Sequence, residues 1–159
     1  PCYGVGLPME KLARLYEKGS AQLQKDLEGF KADARTLWAM LKVLNSNLNL
    51  IGPLLLNSAP ISIARADDGN VNVLTLISPD SIIVIPINQN YTYDKKNTVF
   101  HMEKNLSVTV ELPDWFKPTR VSEVKNGVMK VYKYKKDGAK LILDIPVLNV
   151  GHIFIINSR

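Results

Sequence analysis

The sequence predicts an α+β chain by content: an N-terminal helical segment followed by an antiparallel all-β sandwich. Three observations predict it. Apolar residues recur at alternating steps of four and three through the first third, the period falls to two after Pro60, and turn dipeptides rather than helices separate the later apolar runs.

In the first third, Leu23, Leu27, Phe30, Ala34, Leu37, Leu41, Leu44, Leu48 and Ile51 follow helical spacing. Gly19-Ser20 and Gly29 are weak points, because a glycine inside a helix costs about 1 kcal/mol relative to alanine. Two helices are therefore expected, near 8–28 and 31–51, with Pro8 in the opening turn of the first. Gly52 is placed to end the second in a left-handed conformation, and Pro53 lacks the N–H that continuation needs. Leu54 to Leu56 would pack the exiting chain before Asn57-Ser58 turns it.

Beyond Pro60, Val- and Ile-rich stretches predict strands near 61–65, 71–77, 82–88, 99–102, 106–112, 119–124, 128–134, 141–145 and 151–156. Asp68-Gly69, Asn126-Gly127 and Asp137-Gly138 tolerate the positive backbone angles of tight hairpin turns, so the pairing is antiparallel. No helical crossover interrupts these strands, which excludes a parallel sheet and favours two stacked sheets. The expected domains are a helical segment at 1–59 and a sandwich at 60–159.

Composition narrows the function. The chain has 159 residues, 46% hydrophobic and 22% charged, values of a folded domain rather than a disordered chain. Its net charge of +5 is scattered, and the densest basic group, KYKK at 133–136, runs into Asp137, so nucleic acid is not an expected partner. The longest apolar runs, LIGPLLL and IIVIPI, fall short of the ~18 residues of a membrane helix, so no membrane span is expected. The single Cys2 cannot form an internal disulfide. The first residues lack a signal-sequence pattern, and the missing initiator Met fits a piece processed or excised from something longer.

No catalytic, cofactor or metal residues are expected. His101 and His152 lie in strand-like contexts, Cys2 has no base placed around it, and no HxxxH or CxxC spacing occurs. CYGVG lacks the third glycine of a phosphate-binding turn, and ADDGN at 66–70 lacks the distal Glu of a calcium loop. Aromatic residues are the better candidates, because sugar rings stack on exposed rings. Tyr91 and Tyr93 lie in the polar loop NQNYTYDKKN, Trp115-Phe116 sits between Pro113 and Pro118, and Tyr132 and Tyr134 share one face of a strand. Tyr91, Tyr93 and Trp115 are taken as carbohydrate-binding candidates; ordinary packing is the alternative for all three, with Trp115-Phe116 also suited to plugging an open end of the sandwich. The helical stripe has two readings as well, a self-association seam or a cover for its own domain.

The order of these features resembles the junction of barrel and sandwich in multidomain glycoside hydrolases. TLWAMLKVLNSNLNLIGPLLLNSAP, followed by ISIARADDGNVNVLTLIS, is similar to the last barrel helix and the crossing into a C-terminal sandwich, with Leu41, Leu44-Asn45, Leu48, Ile51, Pro53 and Leu55 at the corresponding places. LDIPVLNVGHIFII is similar to the closing strands, where a Pro-containing turn precedes a Gly and a final apolar strand. The resemblance covers residues 33–159. It implies a noncatalytic module of a carbohydrate-active enzyme that supports a barrel or binds polysaccharide, outside the cytoplasm in an extracellular or periplasmic setting. The catalytic carboxylates of that family lie on the barrel, which these residues do not contain, so no catalytic residue carries over. The implied partners are a polysaccharide and a catalytic barrel; a second chain meeting the helical stripe is the alternative, which makes the protein a stand-alone interaction protein oligomerising through its N-terminal helices.

Overall fold

A computed structural model describes residues 21–93 and 98–158, with side chains from residue 28 onward apart from 32 and 33. A helix, α1 (Ala21–Leu56), is followed by antiparallel strands in two sheets. The first sheet has the order β1-β3-β4-β12-β8-β9: β1 is Ala59–Pro60, β3 Val71–Ile77, β4 Ser81–Asn88, β12 Ile153–Asn157, β8 Arg120–Lys125 and β9 Val128–Val131. The second has the order β10-β11-β7-β2: β10 is Lys135–Asp137, β11 Lys140–Leu148, β7 Glu103–Glu111 and β2 Ala64–Ala66. A separate ribbon pairs β5 (Tyr91–Tyr93) with β6 (Thr98–Phe100). Packing divides the chain into two compact units that meet in sequence at Val43 and Leu44, so helix residues 44–56 belong with the sheets.

Alternation along the strands builds the sandwich. Val108 and Val110 of β7, Leu141, Leu143 and Ile145 of β11, Ile82 and Val84 of β4, and Phe154 and Ile156 of β12 are buried in one cluster between the sheets. The intervening residues of β8 and β12 face outward, where Val124 and Ile155 are buried with Ile51 of α1, and Leu50, Leu54, Leu55 and Ile153 pack against them. Both faces of the six-stranded sheet are thus apolar, which is why the middle strands read as continuous Ile and Val runs.

The helix departs from expectation in three ways. It runs without a break through Gly29, because one glycine's cost of about 1 kcal/mol does not outweigh propagation from both flanks; residues 8–20 of the first expected helix lie outside the described residues. It also continues through Gly52-Pro53 to Leu56, and Gly52 does not take a positive φ. A proline clashes with the Cβ of the residue before it, and glycine has none, so this pair passes within a last turn where few hydrogen bonds remain to be lost. The true stop is at Asn57-Ser58: Asn57 N–H donates to Leu54 O, Ser58 N–H to Leu55 O (both 3.3 Å), and Asn57 Nδ2 donates to Pro53 O at 3.1 Å. Thirdly, the buried face coincides only in part with the predicted stripe. Leu44 and Leu48 are exposed, whereas Leu50, Ile51, Leu54 and Leu55 meet the sheet. Ile51 ends that stripe, and Leu50 and Leu54, outside it, lie on the side of the helix turned toward the sheet.

The stretch Glu28–Leu56 is long and apolar enough to cross a membrane by length and composition, which corrects the expectation drawn from uninterrupted apolar runs. The runs look short because Asn45, Asn47 and Asn49 divide them. At its C-terminal end the helix spends its apolar residues on the sheet, with Ile51 only 3% exposed.

Most strands lie where the sequence puts them, and β3 matches to the residue. The expected strand at 128–134 instead ends at Val131, where the chain leaves the first sheet for β10 in the second. Tyr132 and Tyr134 lie in that crossing rather than in a strand, and both pack against the core. Asp68-Gly69 is not a hairpin turn either. It links β2 of one sheet to β3 of the other, closed by Asp68 Oδ1 accepting from Asn70 N–H at 2.8 Å. The other two dipeptides do close hairpins. Asn126 and Gly127 both have positive φ (53° and 73°), as a two-residue type I′ turn requires, and Gly138 (58°) opens the loop between β10 and β11. Pro146 lies within β11, not in a turn; the ladder to β7 skips it, and Asn105 opposite takes a positive φ of 54°.

Candidate functional site

The expected aromatic residues are distributed over β7's two ends. Tyr91 and Tyr93 form the outer ends of β5, in register with Phe100 and Thr98 of β6. Two residues apart on one strand, they point to one side of the ribbon. Tyr91 is 53% and Tyr93 73% exposed, and the Tyr91 and Phe100 rings lie 5.7 Å apart at 51°, a tilted pair that steadies the first ring and leaves the second open. The segment read as a loop is therefore a paired ribbon. Residues 94–97 lie outside the described residues.

A clamp at the ribbon's base fixes its place, and the sequence reading missed the residue that makes it. Asn88, the last residue of β4, is buried, and its Nδ2 donates to His101 O (2.7 Å) and Asn149 O (2.8 Å) while its Oδ1 accepts from Asn90 N–H at 2.8 Å. One amide thus ties together both ends of the ribbon and the loop before β12. His101 N–H donates to Asn90 O (2.8 Å), and Asn90 Nδ2 donates to Glu103 Oε1 (2.8 Å) at the start of β7. The cluster of amides in NQN was visible, but nothing marked Asn88 as the buried member, since its partners are distant main-chain carbonyls.

Trp115 does not join the tyrosines. The ribbon enters β7 at Glu103, and Trp115 follows the strand's other end at Glu111, about 27 Å away at ~3.4 Å per residue. Trp115 is 61% exposed, whereas Phe116 is 3% exposed and part of the core, so of the two only Phe116 plugs the sandwich. Their rings meet edge to face at 5.7 Å.

The titratable groups pair at separate places. His101 and His152 both lie outside strands. His152 Nδ1 is 2.6 Å from Glu123 Oε1, without the alignment of a directed hydrogen bond, and its ring stacks on Phe154 at 5.8 Å. Lys135 Nζ and Asp144 Oδ2 form an exposed pair at 2.6 Å beside an open cleft of about 590 Å³. Tyr132 borders that cleft and donates its hydroxyl to Asp144 O at 2.7 Å. Burial, followed by the charges of Glu123 and Asp144, raises the Tyr132 pKa above its ordinary 10.0 and holds the phenol neutral as a donor. Among the described residues no three His, Cys, Asp or Glu side chains gather as metal ligands, and Cys2 lies outside them. What the exposed tyrosines offer is a flat apolar face with a polar rim, suited to stacking rather than to bond making.

No family model matches the sequence, and no curated protein matches it. Solved structures do match in fold. One is an alpha-L-fucosidase isoenzyme 2 from Paenibacillus thiaminolyticus, 11% identical with a TM-score of 0.49, covering 70% of this chain and 16% of that one. Another is a cycloisomaltooligosaccharide glucanotransferase of Paenibacillus sp., complexed with cycloisomaltoheptaose, 14% identical with a TM-score of 0.53, covering 72% of this chain and 20% of that one. The chain spans a fifth or less of either enzyme's length. Over 72% of its own length the chain has a fold similar to one part of the glucanotransferase.

Proposed function

We propose that the chain is a noncatalytic module of a carbohydrate-active enzyme, with a sandwich domain at 60–159 that binds polysaccharide through Tyr91 and Tyr93. The observation that carries this is the exposure of both rings on one side of a ribbon whose base is clamped by Asn88. A preorganised pair of rings loses little freedom on binding, and the spacing of alternate strand residues, roughly 7 Å, lets each ring meet a sugar. The fold likeness to part of a glucanotransferase supports the enzyme context. Trp115 would be a second, separate contact, because it lies beyond the other end of β7.

Affinity electrophoresis through gels containing soluble polysaccharides tests the reading. The wild-type chain is expected to be retarded by at least one glucan. Tyr91→Ala and Tyr93→Ala should each weaken retardation about tenfold, the value of one aromatic stacking contact. Retardation of neither wild type nor variants across a broad glycan panel would leave only the supporting role for a catalytic barrel.

One observation favours a second reading. Leu37, Trp38, Met40 and Val43 of α1 are exposed, a surface suited to oligomerisation through the helical segment. Sedimentation at micromolar concentration separates the two, since a monomer there removes the interaction-protein reading.

A further inference from the structure

Asn126-Gly127 is the single Asn-Gly dipeptide in the chain. Such a dipeptide is chemically weak, because the backbone nitrogen of the glycine can attack the side-chain amide carbon with no side chain in the way. The attack requires the Gly127 nitrogen to lose its proton and turn toward Asn126 Cγ. Here that N–H is donated to Asn47 Oδ1 of α1 at 2.7 Å, and the turn is held with both φ angles positive. The helix sits so close that a Cβ on Gly127 would come within 2.6 Å of Ser46 Cβ. Asn126 itself is exposed at the rim of a cleft of about 210 Å³ shared with Glu123, Lys125 and His152, so water reaches its amide.

We propose that Asn126 is a deamidation site whose rate is set by the seating of α1 on the β8–β9 hairpin. While the helix is seated, Asn47 holds the attacking nitrogen; when its last turns lift, the nitrogen is released. The Gly127 nitrogen then bonds to Asn126 Cγ, the Cγ–NH₂ bond breaks, and ammonia leaves with the proton that nitrogen gave up. Water opens the resulting succinimide at one of its two carbonyls, leaving aspartate or isoaspartate at position 126, with no change in oxidation state. Isoaspartate puts an extra carbon into the backbone of a two-residue turn, and either product adds negative charge near Glu123. The product turn therefore fits the helix less well, and the conversion runs one way.

The test is a time course of the full chain in mildly alkaline buffer, read by peptide mass mapping at Asn126 and by isoaspartyl methyltransferase labelling. Native protein is expected to convert more than roughly tenfold slower than the same chain unfolded in urea. Asn47→Ala, which removes the acceptor, should speed conversion about fivefold, the effect of one lost hydrogen bond. Asn47→Asp keeps an acceptor oxygen and should stay within about twofold of wild type. If Asn47→Ala does not fold, Ile51→Ala loosens the same helix with Asn47 intact and should also speed conversion. The proposal is overturned if native and unfolded chains convert alike, if folded Asn47→Ala keeps the wild-type rate, if Asn47→Asp is as fast as Asn47→Ala, or if Ile51→Ala, standing in for an unfolded Asn47→Ala, has no effect.

Discussion

The six-stranded sheet has an apolar seam on each face, and the two differ in depth. On the inner face, Val84, Val121, Phe154 and Ile156 are closed over by a second sheet carrying Val108, Val110, Leu141 and Leu143, all fully or almost fully buried. On the outer face, Val124 and Ile155 are closed over by one helix, and just beyond Ile51 the helix residues Leu44, Leu48 and Leu56 are exposed. A seam between two sheets opens only when the sandwich itself comes apart, whereas one covered by a single helix can open while the sandwich persists. The hydrogen bond from Gly127 to Asn47 is a polar latch on that shallower seam.

The two seams respond differently to truncation. Phe154→Ala removes a ring from the inner seam and should cost about 3–5 kcal/mol of global stability in urea unfolding. Ile51→Ala should cost about 2 kcal/mol, the low end for such truncations, and appear mainly as faster hydrogen exchange in residues 46–56. A midpoint shift for Ile51→Ala as large as that for Phe154→Ala would erase the distinction. Tyr132 sharpens it from the inner side, since its ring lies edge-on to Phe154 at 4.8 Å. Its folded pKa is raised above 10.0, so the folded state holds the proton more tightly than the unfolded state does. Stability from this group is complete below pH 10 and is lost as pH rises through the folded pKa; Tyr132→Phe should flatten that fall in urea titrations. Tyr93→Ala, on the ribbon outside both seams, should change stability by less than about 0.5 kcal/mol.

Legibility followed how local the cause was. Val71–Ile77 could be read to the residue because alternation fills the strand and turn residues bound it. The type I′ turn at Asn126-Gly127 needs two positive φ angles, and the dipeptide announces them. Lys135–Asp137 could not be read as a strand, since its residues are all polar and exposed and only pairing to β11 makes it one. The helix's passage through Gly52-Pro53 was hidden because each residue alone is a stop signal, and only the pair is permissive. The face it buries was hidden because the sheet meets only the last turns of the helix, which a periodic pattern does not reveal. At the candidate site, the exposed tyrosines were visible in a polar stretch, but Asn88 was not, because its role depends on His101 and Asn149, the latter 61 residues away.

The position of β12 has a consequence for assembly. Ile153–Asn157 lies between β4 and β8, bonded to both, although more than sixty residues separate it in sequence from β4. Until that segment has been synthesised, the strands on either side share no ladder, and their greasy middle edges stand open to one another and to neighbouring chains. Shortening the chain before residue 153 would remove a keystone rather than a tail, leaving a sheet split into two unpaired parts prone to aggregate.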